Sequence, residues 1–156
     1  MLSHAFILWI CVCVYAIHIL EKVEFDWLNW MNKKLSVTDI GWPLFYVSAA
    51  SIIITGIAGA MTGWSEPAFA LILPAIEILK ALIFYLIPLI FKRRLTPGIF
   101  SAVFLFIPVG SWAFAGAYYD DVLTTGNYIM AYVLGAIVMF LPMIFYKLKL
   151  KFHSFV

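Results

Sequence analysis

The sequence predicts an all-α polytopic membrane bundle of five transmembrane helices, with its N-terminus outside and its C-terminus cytoplasmic. Three observations carry that prediction. First, 65% of the 156 residues are hydrophobic and only 12% are charged, about half the charge of a soluble domain. No soluble interior of this size holds so much apolar surface, so a single membrane domain is expected. Second, five apolar stretches come close to or exceed the roughly 20 residues that a helix needs to cross the hydrocarbon core. Third, the basic residues alternate. Lys22, Lys33 and Lys34 follow the first stretch, Lys92, Arg93 and Arg94 the third, and Lys147, Lys149 and Lys151 the fifth. The opposite connections carry only Glu66, Asp120 and Asp121. Basic residues stay cytoplasmic, which sets the orientation. A four-span arrangement fails because it puts the C-terminal lysines opposite the Lys-Arg-Arg run.

The elements follow in order. The first helix covers about 3–20. It has no basic residue before it and no small-x-small cleavage site after it, so it reads as a retained helix and not a leader. Its Cys11 and Cys13, two apart, point to nearly opposite sides and read as small apolar filler. Residues 21–40 form the one long connection, where Trp27, Leu28 and Trp30 mixed with charges suggest a short interfacial helix. The second helix, 41–64, carries Ser51, Thr55, Gly59 and Gly63, a small residue every four. Such a stripe lets helices approach closely, toward a neighbour in the bundle, a second protomer or another membrane protein. The third helix, 66–91, opens with Ser65 as N-cap and Pro67 in the first turn. Pro74 and Pro88 inside it free the carbonyls of Ala70 and Phe84, which membrane helices tolerate where neighbours or water re-satisfy them. "KRRLTPG" precedes the fourth helix, 98–119, which Pro97 starts, and "DDVLTTG" precedes the fifth, 127–146. Trp27, Trp30 and Trp42 on one side, and Trp64, Tyr118, Tyr119 and Tyr128 on the other, form the aromatic belts of the two interfaces.

Polar residues within or beside the spans are the candidates for function. A charge at mid-membrane costs about 2.5–3.5 kcal/mol, so such residues face the bundle interior and have partners. His18 and Glu21 are three apart and share a face. They read either as an interfacial histidine with a solvated acid or as groups turned inward. Glu77 and Lys80 have the same spacing in the third helix, either as a self-neutralising pair or with one of them meeting a substrate or a proton. At about 1.5 Å rise per residue, counting from the basic ends brings Tyr85 level with His18 and Glu21, with Glu77 about two turns deeper. A hydroxyl, an imidazole and a carboxylate are expected to line one cavity there, opening to the cytoplasmic side.

His18-Ile-Leu-Glu21, followed by an acidic and aromatic stretch, resembles the signature of the HXXEE family of small bacterial and archaeal membrane proteins. "RRLTPGIFSAVFLFIP", Arg93 to Pro108, is similar to that family's second landmark, a basic pair before a Pro-Gly that opens a helix with a later proline. The resemblance implies a polar intramembrane cluster of His, Glu and Glu, joined by Asn and His from a later helix. Here Lys22 stands in place of the second acid, with Glu24 nearby, Tyr85 in place of the later histidine and Ala81 in place of the asparagine. One histidine with one or two glutamates makes a poor zinc site, so neither metal nor cofactor is expected.

No glycine-rich phosphate loop, HExxH, CxxC or nucleophile elbow occurs, and topology alone explains the basic clusters, so nucleic acid is not a partner. The expected function is an intramembrane pocket in a multi-pass protein of the cell membrane. It binds a small lipid-like molecule with His18, Glu21, Glu24, Glu77, Lys80 and Tyr85, with His18 and Glu21 as acid–base groups. The alternative is a structural or interaction subunit of a larger membrane complex, its polar cluster serving only packing.

Overall fold

The structure is a computed structural model and describes residues 3–35, 41–93 and 95–153. Of the residues invoked above, Arg94, residues 36–40 and the side chains of Lys34, Lys92, Lys147, Lys149 and Lys151 lie outside the described part. The described residues are helical throughout their ordered elements. Helix α1 is Phe6–Glu24, α2 is Trp27–Leu35, and α3 is Trp42–Thr62, continued by a 3-10 turn, Gly63–Ser65. The third apolar run is broken into α4 (Pro67–Ala70), α5 (Ile72–Lys80), a π-helical stretch Ala81–Leu86, and α6 (Ile87–Lys92). The fourth is α7 (Ile99–Ser101), a second π-helical stretch Ala102–Phe106, and α8 (Ile107–Tyr119), and the chain continues as α9, Thr125–His153.

Four of these segments are long and apolar enough to cross a membrane: Phe6–Glu24, Trp42–Ser65, Pro67–Phe91 and Ile99–Tyr119. The apolar part of α9, Thr125–Leu141, is shorter. The first span runs past the expected boundary at residue 20. Its end falls at Glu24, where Phe25 donates its N–H to the Glu21 carbonyl, and the left-handed Asp26 (φ 46°) turns the chain into α2.

The prolines account for the breaks. Pro74 sits just inside α5, after the turn at Leu71. Ahead of Pro88, which has no N–H, Ile87 donates to Leu82 five residues back, the widened pattern of a π-helix. The second π stretch ends just before Pro108 in the same way. Two expected helix starts are displaced. Ser65 is not the N-cap of the third span, because its hydroxyl donates back to the Thr62 carbonyl at 2.6 Å within the 3-10 turn, although Pro67 does open α4. Pro97 does not begin the fourth helix either. It belongs to a turn with Gly98, whose φ of 97° requires glycine, and the helix starts at Ile99.

Helix α5 is the centre of the bundle and packs against α9, α8, α1 and α3. Its Ile72, Ala75 and Ile76 join Ile7 and Cys11 of α1 and Ala113 and Ala117 of α8 in one core. Gly135 lets α9 approach within van der Waals contact of Ala75, and Gly110 brings α8 against Pro74 and Ile78. In the small-residue stripe, Gly59 lies against Ala70 and Gly63 is buried, so that end is covered within the chain. Ser51 is exposed and, like Thr55, donates its hydroxyl to its own helix backbone. At the far end of the bundle Asp120 gathers four donors. His4 Nδ1 lies 2.6 Å from its Oδ1. The His4 backbone N–H (2.6 Å), Trp64 Nε1 (2.7 Å) and Ser3 Oγ (3.2 Å) reach its Oδ2. Chiefly through the bond from the His4 side chain, the Asp120 carboxyl is held down to about 2.

Candidate functional site

His18 sits on the face of α1 that turns inward, and it is fully buried, with 0% of its surface exposed. Its two ring nitrogens are both engaged. Nδ1 lies 2.7 Å from Ser101 Oγ, and Nε2 lies 3.1 Å from Tyr85 Oη. Glu21, one turn along α1, accepts the Ser101 hydroxyl and the Ser101 backbone N–H (2.8 Å) at Oε2, and the Phe100 N–H (3.1 Å) at Oε1. Its carboxylate thus satisfies N–H groups of the first turn of α7, which have no partner inside the helix.

The donors and acceptors fix the proton positions. Ser101 has one proton. Glu21 Oε2 is its nearest acceptor, while the Gly98 carbonyl lies at 3.3 Å. With that proton on Glu21, Ser101 Oγ accepts from His18, so His18 carries its hydrogen on Nδ1 and its Nε2 accepts from Tyr85. Four side chains from three segments therefore form one directed relay, Tyr85 to His18 to Ser101 to Glu21, ending on a carboxylate. Each member is a proton donor and acceptor of the kind used in acid–base transfer.

The relay is packed solid. Tyr85 is buried, and Phe106 presses on the imidazole with ring centroids 4.4 Å apart. The turn at Pro97–Gly98 closes the remaining side. His18 and Tyr85 meet directly, by the 3.1 Å hydrogen bond, instead of facing each other across open space. The open space lies outside, around Glu21. A groove of about 250 Å³ is lined by Glu21, Phe25, Trp30, Leu95, Thr96 and Phe100, among others, and one of about 310 Å³ by Ile17, Glu21, Phe100, Ser101, Phe104 and Leu105. Glu21 and Phe100 border both. Thr96 Oγ1 is buried there with no hydrogen-bond partner.

The remaining candidates separate. Glu24 is exposed, away from the relay. Glu77 is fully buried in the core, where the Cys11 thiol beside it is the polar group nearest its carboxyl oxygens and, among the described residues, no ion pair reaches them. Lys80 does not close an ion pair with Glu77. It donates to Tyr15 Oη at 2.5 Å and lies 4.8 Å from that ring's centroid. Helical spacing put the two charges on one face, but Tyr15 on the facing helix competes successfully for the ammonium.

Three participants were not singled out from sequence. Ser101 is the hydroxyl that joins His18 to Glu21, and its only sequence signal is its place in the first turn after Pro-Gly. Tyr15 lies one turn before His18 in a run that reads as plain apolar. Lys22, read as a topology-setting charge, is buried, with its Nζ 4.6 Å from the Trp27 ring centroid and 5.8 Å from that of Tyr85. It occupies the position of the motif's second acid. Among the described residues, no three His, Cys, Asp or Glu side chains come together as a metal site.

Long apolar helices enclosing a hydrogen-bonded His–Tyr–Ser–Glu cluster define a polytopic membrane protein with a polar centre. The chain belongs to the HXXEE family: the family model described as "Protein of unknown function with HXXEE motif" matches residues 9–113, which include His18, Glu21 and the Pro97–Gly98 turn. Neither a curated protein nor a solved structure matches it.

Proposed function

We infer that this is a five-span protein of the cell membrane whose Glu21 groove binds a small amphiphile. The observation that carries this reading is that Glu21 belongs at once to the buried relay and to the border of both grooves. The groove walls are apolar and aromatic, suited to a lipid-like chain. Among the described residues that line them, Glu21 is the one charged group, and it favours a hydrogen-bond-donating or cationic head over an anionic one. A proton that Glu21 gives to such a head can be replaced through Ser101 and His18, which equips the site for acid–base transfer. The 29-residue α9 is long enough to serve as the fifth span at about 1.5 Å per residue. The nine basic residues other than Lys80 then lie at or beyond the cytoplasmic ends of the spans, with the N-terminus outside.

The test is photocrosslinking in membranes with a diazirine-bearing long-chain amine and the matching fatty acid. The amine should label the Phe25–Trp30 and Leu95–Phe100 segments, and Glu21→Gln should abolish that labelling. Equal labelling by amine and acid, or labelling untouched by Glu21→Gln, overturns the reading. For topology, a cysteine at Asp121 should react with an impermeant reagent from outside. A reporter after Val156 should be cytoplasmic.

One observation favours a second reading, a structural or interaction subunit: Glu21 already accepts three hydrogen bonds as a cap on α7, while the stripe bearing Ser51 and Thr55 faces outward at its lower end. In that case a partner protein, not an amphiphile, protects the exposed face of α3 from cysteine-directed labelling.

A further inference from the structure

The relay is one end of a longer polar row. Cys11, Tyr15, His18 and Lys22 succeed one another by four, three and four residues along α1, a single stripe of a helix, and all four are buried. Opposite them, the third span contributes Glu77, Lys80 and Tyr85. Tyr15 stacks nearly parallel on Phe106, with centroids 5.8 Å apart, and His18 rests against the same ring at 4.4 Å. Phe106 therefore holds the phenol that binds Lys80 and the imidazole of the relay with ring centroids 6.2 Å apart, a step that a proton crosses only when one of the two rings turns. Toward the Asp120 end the row stops: the next inward residues of α1 are Leu8 and Ile7, both fully enclosed in apolar core.

Glu77 closes the inner end of this row, and nothing in the amphiphile site uses it. A carboxylate held in an apolar interior without an ion pair is among the costliest arrangements a protein can hold. The titratable groups that act on it are Cys11 of α1 and Lys80 of its own helix. Lys80 stands three residues away on the same face, its ammonium resting on Tyr15. Were the Lys80 ammonium to leave Tyr15 for Glu77, one proton transfer would remove both charges. An N–H bond of Lys80 breaks, an O–H bond forms on Glu77, and ammonium plus carboxylate become amine plus carboxylic acid with no change in net charge. We propose that Glu77 and Lys80 form a proton-loading site inside the bundle that exchanges with one face of the membrane only, the face at which Glu21 lies, by way of Tyr15, His18 and Ser101. The apolar plug of Ile7 and Leu8 shuts it from the other face.

Infrared difference spectroscopy of the purified protein in lipid tests this. The wild type minus Glu77→Gln spectrum should contain the C=O stretch of a carboxylic acid, which moves down on transfer to deuterium oxide. The rate of that shift should fall about tenfold or more in His18→Phe and stay unchanged in Asp120→Asn at the opposite end. If His18→Phe does not fold, Tyr15→Phe, which retains the ring on Phe106, takes its place. Absence of a Glu77-dependent acid band overturns the proposal. So does an exchange rate that ignores both His18→Phe and Tyr15→Phe, or one that responds to Asp120→Asn instead.

Discussion

Gly98 lies directly against His18: a Cβ built on it stands 2.8 Å from His18 Cε1 and 2.8 Å from Tyr85 Oη. The Pro-Gly turn is therefore the wall of the His18–Tyr85 contact as well as the start of the fourth span, and two separate demands select glycine there, its φ of 97° and the lack of room.

Gly98→Ala is expected to destabilise the protein by roughly 1–3 kcal/mol, from backbone strain and the clash together. It also parts Tyr85 from His18. Thermal unfolding in detergent, followed with tyrosine absorbance, reads both effects. An alanine variant as stable as the wild type would contradict the packing described.

Glu21→Ala removes an acceptor from two backbone N–H groups and a hydroxyl at the start of α7. Loss of hydrogen bonds to a charged group costs about 1.5–3 kcal/mol. Ser101→Ala should cost less, since the backbone bonds to Glu21 remain. Hydrogen exchange should show the Phe100 and Ser101 amides losing protection in Glu21→Ala and keeping most of it in Ser101→Ala.

The Asp120 clamp responds to acid. Its carboxyl is held at about 2, below the ordinary 3.8. Because the folded value is the lower one, the stabilisation is complete above the ordinary value and is lost as pH falls through the folded value. The difference in Tm between wild type and Asp120→Asn should be constant at neutral pH, shrink below pH 3.8 and vanish near pH 2. A difference that instead grows with acid would reverse the assigned sign.

Lys80→Met takes from Glu77 the group with which it can share a proton, and Glu77→Gln does the same to Lys80. Each single change should destabilise, and the double change should recover part of the loss, with a coupling of about 0.5–3 kcal/mol. Urea or heat titration of the four proteins closes the cycle. Strict additivity would mean that the two groups do not sense each other.

The spans were legible because a long apolar run dictates a helix wherever it meets lipid. The inward turn of His18 was legible because i, i+3 spacing and the cost of a lipid-facing imidazole agree. Simple depth counting found Tyr85. Ser101 was not legible, since its partners lie 80 and 83 residues away and one serine in an apolar run carries no periodic signal. Lys80 shows the limit of spacing. A shared face says that Glu77 and Lys80 can meet, but whether they do depends on what the facing helix offers, and it offers Tyr15. Lys22 shows the limit of charge counting, because the basic residue that ends a span also folds back over Tyr85 and Trp27. The close packing at His18 was not legible either, because Phe106 and the Pro97–Gly98 turn, which supply it, are distant in sequence.

The π-helical stretch Ala81–Leu86 holds Tyr85 in place by winding more loosely than its neighbours. Were that stretch to rewind as ordinary α-helix, everything on one side of it would turn by about 100°, one residue's worth of screw. Tyr85 would leave His18, and the end of the span carrying Pro88 would rotate with it. The meeting of phenol and imidazole thus depends on the one extra residue that the loose winding ahead of Pro88 accommodates.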